Sequence, residues 1–390
     1  MRMRNVPMNS LLLKLRKINR ARNFKTKKVK LWLRMIAKDC YLRKRTVLDK
    51  ASIKKILIIM PGKGIGDALV MTGLVNALAE NGFKVSVLAE SRITHIFEGL
   101  ECVNHIHTLQ RSNQDIYTFR KIAQEKYDLL IDIDEIDGLS PLRLNMIKKC
   151  RPAHTLGINQ FSRLYDTSIS YRCTDKHITA RHTAVAAQLN VNLPAYEYLI
   201  NIPEAVMSET KGFIDRHKGV PVIILNPYGT EEIRGMSLEQ INQFCTLCME
   251  HFGTKPFITA VADRLYHIPD WGNHIKFSLA TFQHVAAAIK LSDIVVSTDT
   301  SVVHLSRALD KKLVCLYNNK ILPTGDNNNV LWGPNYPKAT QITSPGRRVD
   351  QIKPELIFRH ALAGLKGELP ENQEAFSSDL VASSASTAHC

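Results

Sequence analysis

Short apolar runs and stretches of helical period alternate along most of this chain, and that alternation leaves few architectures open. "KKILIIMP" is a run that suits a strand covered on both faces, and "DALVMTGLVNALAENG" carries apolar residues at helical spacing before a C-capping glycine at Gly82. "FKVSVLAE" and "HIHTL" predict strands, "QDIYTFRKIAQEK" a helix, and "YDLLIDID" a further strand. Strand–helix repetition of this kind predicts a parallel sheet with helices on its faces. A helix over residues 177–190 closes the first series. The alternation then lapses over residues 191–219, which contain Pro194 and Pro203. It restarts with "VPVIILNP", "SLEQINQFCTLCMEHFG", "KPFITAV", "TFQHVAAAIKLS", "DIVVSTD", "TSVVHLSRALD" and "KKLVCLYN". The reading is therefore α/β, with one domain over 51–190, an interdomain region over 191–219 and a second domain over 220–366. Ligands of open α/β sheets bind beyond the C-terminal ends of the strands. The residues that follow each strand are the candidates for function.

Charge sets the two ends apart from this body. The net charge of the 390 residues is +16. Residues 1–50 hold 17 Lys and Arg against two Asp, so the rest is almost neutral. A basic segment on a neutral body suits an anionic surface, either lipid headgroups or nucleic acid. Its stretch "LWLRMIAKDCYLRKR", Leu31 to Arg45, sets Trp32, Met35, Ile36 and Leu42 among cations, as a helix lying in a membrane interface would. The apolar run "SLLLKL" is interrupted by Lys14, unlike a secretory signal, and no run reaches the roughly 18 apolar residues of a bilayer span. Residues 367–390 are polar and rich in Ser and Ala, and are expected to be disordered. Eight scattered cysteines suit a reducing compartment. Cys245 and Cys248 form C-x-x-C on an amphipathic helix without a second pair, so they are expected to be buried thiols rather than zinc ligands.

Four stretches offer chemistry. In "PGKGIGDALVMTG", Gly62, Gly64 and Gly66 follow the first strand, but neither the dinucleotide fingerprint nor the Walker loop is present. Asp67 stands at the helix start, either as an N-cap or as a base facing a ligand, with the glycines leaving room for an acceptor. In "SDIVVSTDTSVVHLSRALD", a strand runs into Asp299, Thr300 and Ser301, with His304 one turn into the next helix. Hydroxyls and free N–H groups at a helix start bind anions, a diphosphate above all. Asp299 fits there as a cap or a partner for a sugar hydroxyl. In "NPYGTEEIRGMSLEQ", Arg234 leads to a capping box of Ser237 and Gln240 and can neutralise phosphate. "IDIDEID" places Asp132 and Asp134 on one face of a strand end, which suits solvated carboxylates more than a magnesium site.

Taken together these motifs resemble glycosyltransferase family 9, the lipopolysaccharide heptosyltransferase family, over roughly residues 53–320. "ILIIMPGKGIGDALVMTGLVNAL" is similar to the family's opening strand, glycine turn and Gly-Asp, and "SDIVVSTDTSVVHLSRALDKKLVCLY" to its signature helix start and following strand. The resemblance implies a GT-B fold, two Rossmann-like domains facing across a cleft, here with a basic N-terminal helical extension. It implies inverting, metal-independent transfer of a heptose from ADP-heptose to a lipopolysaccharide core, with no cofactor. Asp67 would be the general base, Asp299, Thr300, Ser301 and His304 the donor-binding helix start, and Arg234 the cation near the donor phosphates. Ser301 departs from the family's usual Gly, Val302 from its frequent Pro and Arg234 from its Lys, which leaves a hexose or N-acetylhexosamine donor open. The acceptor would be an anionic, lipid-linked oligosaccharide. The enzyme would sit in the cytoplasm on the inner face of the inner membrane, touching it through residues 1–50. The rival classes are a nucleotide-cofactor oxidoreductase with Glu90 on a ribose, and a nucleic-acid-binding protein working through the basic arm.

Overall fold

The strand Lys55–Met60 (β1) is apolar from Ile56 onward and buries each of those residues, because it lies in mid-sheet with a parallel neighbour on either side. The computed structural model describes Leu33 and residues 47–368, apart from 113, 135–140, 161, 172–175, 194, 218, 280 and 323–326. The expectations for residues 1–46 and for the tail beyond 368 lie outside the described residues.

Beside β1 lie Lys84–Glu90 (β2) and Leu129–Asp132 (β4). His105–Leu109 (β3) extends the sheet past β2, and His154–Ile158 (β5) and Thr167–Ile169 (β6) extend it past β4. The order is β3-β2-β1-β4-β5-β6, parallel at every pairing. The second sheet is built from Ile223–Asn226 (β7), Phe257–Ile258 (β8), Ile275–Lys276 (β9), Ile294–Thr298 (β10), Leu313–Tyr317 (β11) and Ala339–Thr343 (β12). Its order is β12-β11-β10-β7-β8-β9, which repeats the first topology when counted from β7. Both lobes therefore have the doubly wound Rossmann arrangement, and each has its switch point beside its first strand.

The Ile65–Glu80 helix joins the lobes. It buries residues on all sides, from Ala68 to Leu78. A helix apolar all round needs cover all round. One side packs on the first sheet and another on the Ser301–Ala308 helix of the second lobe, so a single apolar cluster runs from Ile58 and Leu74 to Val295 and Val303. The segment after the first lobe threads this junction. Tyr196 donates its hydroxyl hydrogen to the Val70 carbonyl at 2.9 Å, and the Leu199 N–H donates to Thr72 Oγ1 at 2.8 Å. Arg307 reaches back from the second lobe, donating to the Tyr196 carbonyl at 2.8 Å and lying 4.3 Å from the centre of the Tyr198 ring.

Residues 191–219 are more than connection. They contain the Glu204–Arg216 helix, which packs on the Phe282–Leu291 helix of the second lobe. Charged and apolar residues mix there, and the helix shows only in its buried face at Thr210 and Ile214. The sequence reading also leaves unassigned the Pro141–Cys150 helix, β5, β6, β12 and the Pro354–Lys366 helix, all of which complete the two lobes.

Candidate active site

The glycine turn is held in place by a carboxylate. Gly62 has φ +78°, a left-handed conformation that glycine adopts freely. Its N–H donates to Glu90 Oε1 at 2.6 Å, from the end of β2. Arg111 and Arg92 donate to the same carboxylate at 2.6 and 3.0 Å. Burial works against the charge of Glu90, but the Gly62 N–H and the two arginines outweigh it and hold the group below its usual range. Glu90 thus serves as a clamp on the turn.

Asp67 is not the N-cap. That position belongs to Gly64, and Asp67 is the third helical residue, its Oδ2 accepting from the Gly64 N–H at 2.9 Å. This is the carboxylate half of a capping box. The ammonium of Lys63 lies 3.8 Å from Asp67 Oδ1 and is ion-paired with Asp134.

The carboxylates of "IDIDEID" that the structure describes, Asp132 and Asp134, are not solvated as expected; Glu135 and Asp137 fall outside the described residues. Asp132 is fully buried at the end of β4. It accepts from Arg143 Nε at 2.8 Å, Arg143 Nη2 at 2.7 Å and the Tyr165 hydroxyl at 2.6 Å. Arg143 also binds Asp134, so one guanidinium bridges both carboxylates. The alternation that puts Asp132 and Asp134 on one face is correct, and the face turns inward onto a cation that sequence spacing does not reveal.

On the second lobe, Thr300 caps the Ser301–Ala308 helix, its side chain accepting from the Val302 N–H at 3.2 Å and from Asn226 Nδ2 at 3.0 Å. Asp299 is buried just before it. Arg234 Nη2 lies 2.7 Å from Asp299 Oδ2, and Asn328 Nδ2 donates to the same oxygen at 2.6 Å. Burial raises the Asp299 carboxyl above its usual range, with Arg234 and Asn328 pulling the other way. Arg234 also donates to the Asp299 backbone carbonyl, and more weakly to Thr230 at 3.3 Å. The charge of Arg234 is therefore already matched by Asp299, and the pair is locally neutral. Arg234 is thus anchored to Asp299 rather than standing as a solvated loop arginine.

His304 is buried, and burial together with the nearby His177 and Arg307 pulls its imidazole down to about 3. It is neutral at physiological pH and brings no positive charge to an anion. Its ring faces Gly66 of the first lobe: a Cβ on that glycine would lie 3.1 Å from His304 Cδ2 and 3.7 Å from the Ser301 Cα. The close approach that Gly66 permits is thus to the second lobe, rather than to an acceptor. The same contact brings the Asp67 turn against the Thr300–Ser301 helix start, with the C-terminal ends of β1 and β10 directed toward one junction.

The sequence reading missed Lys63, Arg143 and Asn328. Lys63 was within reach, since it lies four residues before Asp67. Arg143 and Asn328 come from separate elements and carry no local signal. Cys245 and Cys248 are buried, and burial pushes their thiols up, that of Cys245 to about 12.

The glycosyltransferase family 9 (heptosyltransferase) family matches residues 277–349, the segment that holds Asp299 to His304. Over 318 residues the chain is 23% identical to a protein of Escherichia coli (strain K12) provisionally named lipopolysaccharide heptosyltransferase 4, covering 80% of this chain and 87% of that one. The fold is similar to a glycosyltransferase family 9 structure from Veillonella parvula DSM 2008, with TM-score 0.68 at 14% identity over 80% of this chain and 97% of the other. It is similar as well to the E. coli ADP-heptose heptosyltransferase II, with TM-score 0.63 at 17% identity over 80% and 99%. The two-lobed fold is accordingly GT-B.

Proposed function

We propose that this chain is a member of glycosyltransferase family 9 that transfers a heptose from ADP-heptose to a lipopolysaccharide core acceptor with inversion at the anomeric carbon, a reading supported by the match over residues 277–349 and by the 23% identical relative. The observation that carries the reading is the apposition at Gly66, which puts a carboxylate-bearing turn of one lobe beside the start of the Ser301–Ala308 helix of the other.

An inverting transfer needs a base for the acceptor hydroxyl and a stabilised leaving group. Asp67 has one oxygen engaged by the Gly64 N–H and the other free of any backbone bond. In this reading the free oxygen takes the hydroxyl proton. The nucleotide diphosphate leaves toward the Ser301 helix, whose dipole favours negative charge there. Arg234 and Asp299 act there as a neutral, rigid pair that fixes the helix start and offers hydrogen bonds to the donor. The donor's own diphosphate is a good leaving group, so the protein's contribution is mainly position and charge.

The acceptor is anionic and membrane-anchored in this reading, and the basic residues 1–50 hold the enzyme at the inner face of the inner membrane. No helix among the described residues is long and apolar enough to cross a bilayer. A thermal-shift screen across ADP-, UDP-, GDP- and CMP-sugars, with and without EDTA, tests the donor assignment. Stabilisation by ADP-heptose that EDTA leaves unchanged supports it. Selective stabilisation by another nucleotide sugar, or a response only with a divalent ion, contradicts it.

A further inference from the structure

Lys63 stands between two carboxylates. It is ion-paired with Asp134 Oδ1, and its ammonium lies 3.8 Å from Asp67 Oδ1. Asp134 is braced on its other oxygen by Arg143, which is fixed bidentately to the fully buried Asp132. Lys63 therefore rests on a chain of charges rooted in the first sheet, and only its last link reaches the base. Among the described residues, the nearby carboxylate and imidazoles do not compete for this link. Glu90 is occupied by Gly62, Arg92 and Arg111, and His182 and His304 are buried and neutral.

We propose that Lys63 is a shared counter-ion for Asp67. It aims Oδ1 while that carboxylate is charged and falls back wholly on Asp134 when Oδ1 is protonated. This rests on the reading of Asp67 as the base. In the step concerned, the acceptor O–H proton passes to Asp67 Oδ1 and the acceptor oxygen forms a bond to the anomeric carbon. The bond from that carbon to the diphosphate oxygen breaks, and its electron pair leaves with the diphosphate. Asp67 becomes neutral at that moment. An ammonium with no second partner would be left unpaired in a largely enclosed place, which is costly. Asp134 removes that cost, so Lys63 can orient the base without holding it back from the proton. Lys63 is a positioning residue in this account.

The test is a double-mutant cycle in the full chain, with ADP-heptose and a lipopolysaccharide core acceptor. Asp134→Asn leaves Lys63 with Asp67 alone, and every proton transfer then breaks that pair. We expect kcat to fall by about fivefold, the worth of one ion pair near the surface, with the donor KM unchanged. Adding Lys63→Met to Asp134→Asn should return kcat to the level of Lys63→Met alone. Losses that simply add would overturn the proposal. A crystal structure of the Asp134→Asn protein gives a second reading that needs no turnover. Lys63 Nζ should close to about 3 Å from Asp67 Oδ1, a direct hydrogen bond, and an unmoved Lys63 would overturn the proposal. Retained turnover in Asp67→Asn would instead sink the base assignment beneath it.

Discussion

Gly66 and His304 meet across the two lobes with no room for another atom: a Cβ on the glycine would lie 3.1 Å from the ring. His304 is buried and hemmed in by the rings of Tyr198 and Trp332, at centroid distances of 6.1 and 6.0 Å. To admit the Cβ it would have to shift by a few tenths of an ångström against those rings. Gly66→Ala should therefore cost about 1–3 kcal/mol through overpacking. Gly73→Ala on the same helix should cost more, because its Cβ would lie 2.3 Å from Tyr196 Cε1 and 2.7 Å from the Glu197 backbone carbonyl. Urea unfolding of both variants checks the order; equal stabilities would mean that the lobes part easily at this junction.

The buried histidines make stability depend on pH. Burial pulls His304 and His182 down to about 3, and His107 and His177 to about 4. In the unfolded chain each titrates near the ordinary value of about 6.5. A histidine whose folded pKa is depressed must be deprotonated to stay buried. Its favourable contribution is complete above about 6.5 and is lost as the pH falls toward the folded value. Each should contribute up to about 2 kcal/mol to the loss between pH 7.5 and 5. Denaturant melts at the two pH values measure this, and His182→Asn should make the difference smaller. A pH-independent midpoint over that range would contradict the account.

Arg143 carries the buried charge at the end of β4. Arg143→Met leaves Asp132 without a cation at a site with no solvent exposure, and breaking a buried pair in this way costs about 3–5 kcal/mol. Equilibrium unfolding should show a loss of that size. A loss under about 1 kcal/mol, as for an exposed pair, would mean that the network is open to water.

Removing the basic segment tests the membrane reading. Asp49 caps the Lys50–Ser52 turn, and Lys50 donates to Asn190 Oδ1 at 2.9 Å, so a cut after residue 46 keeps these contacts. The shortened chain should sediment poorly with vesicles containing anionic lipid, while its turnover of a soluble acceptor is retained. Undiminished vesicle binding would assign the membrane contact to the body.

Both lobes were legible in the sequence because parallel strands buried on both faces must be continuous apolar runs, as β1, β10 and β11 are. β5 and β6 were not, since β5 (HTLGI) sets polar residues and a glycine among its apolar ones and β6 is only Thr-Ser-Ile. At the site, local rules located the turn, the helix starts and their capping residues. They misjudged what those residues touch. Asp67 shifted from cap to third helical position, Gly66 proved to face a histidine, Arg234 proved to be matched by Asp299, and Asp132 turned inward. Three of these differences are pairings between segments eleven to more than two hundred residues apart, and the fourth is a local turn whose glycine takes the cap. Residue spacing carries information about a helix or a strand, but not about which partner meets it.

The account turns on Asp67. The direct measurement is the initial rate of heptose transfer from ADP-heptose to a lipopolysaccharide core acceptor by the wild-type chain and by Asp67→Asn, with donor affinity followed by calorimetry. The account predicts a rate lower by about 10²–10⁴-fold in the variant, the usual worth of a general base, with donor affinity retained. A variant that turns over as fast as the wild type would contradict it.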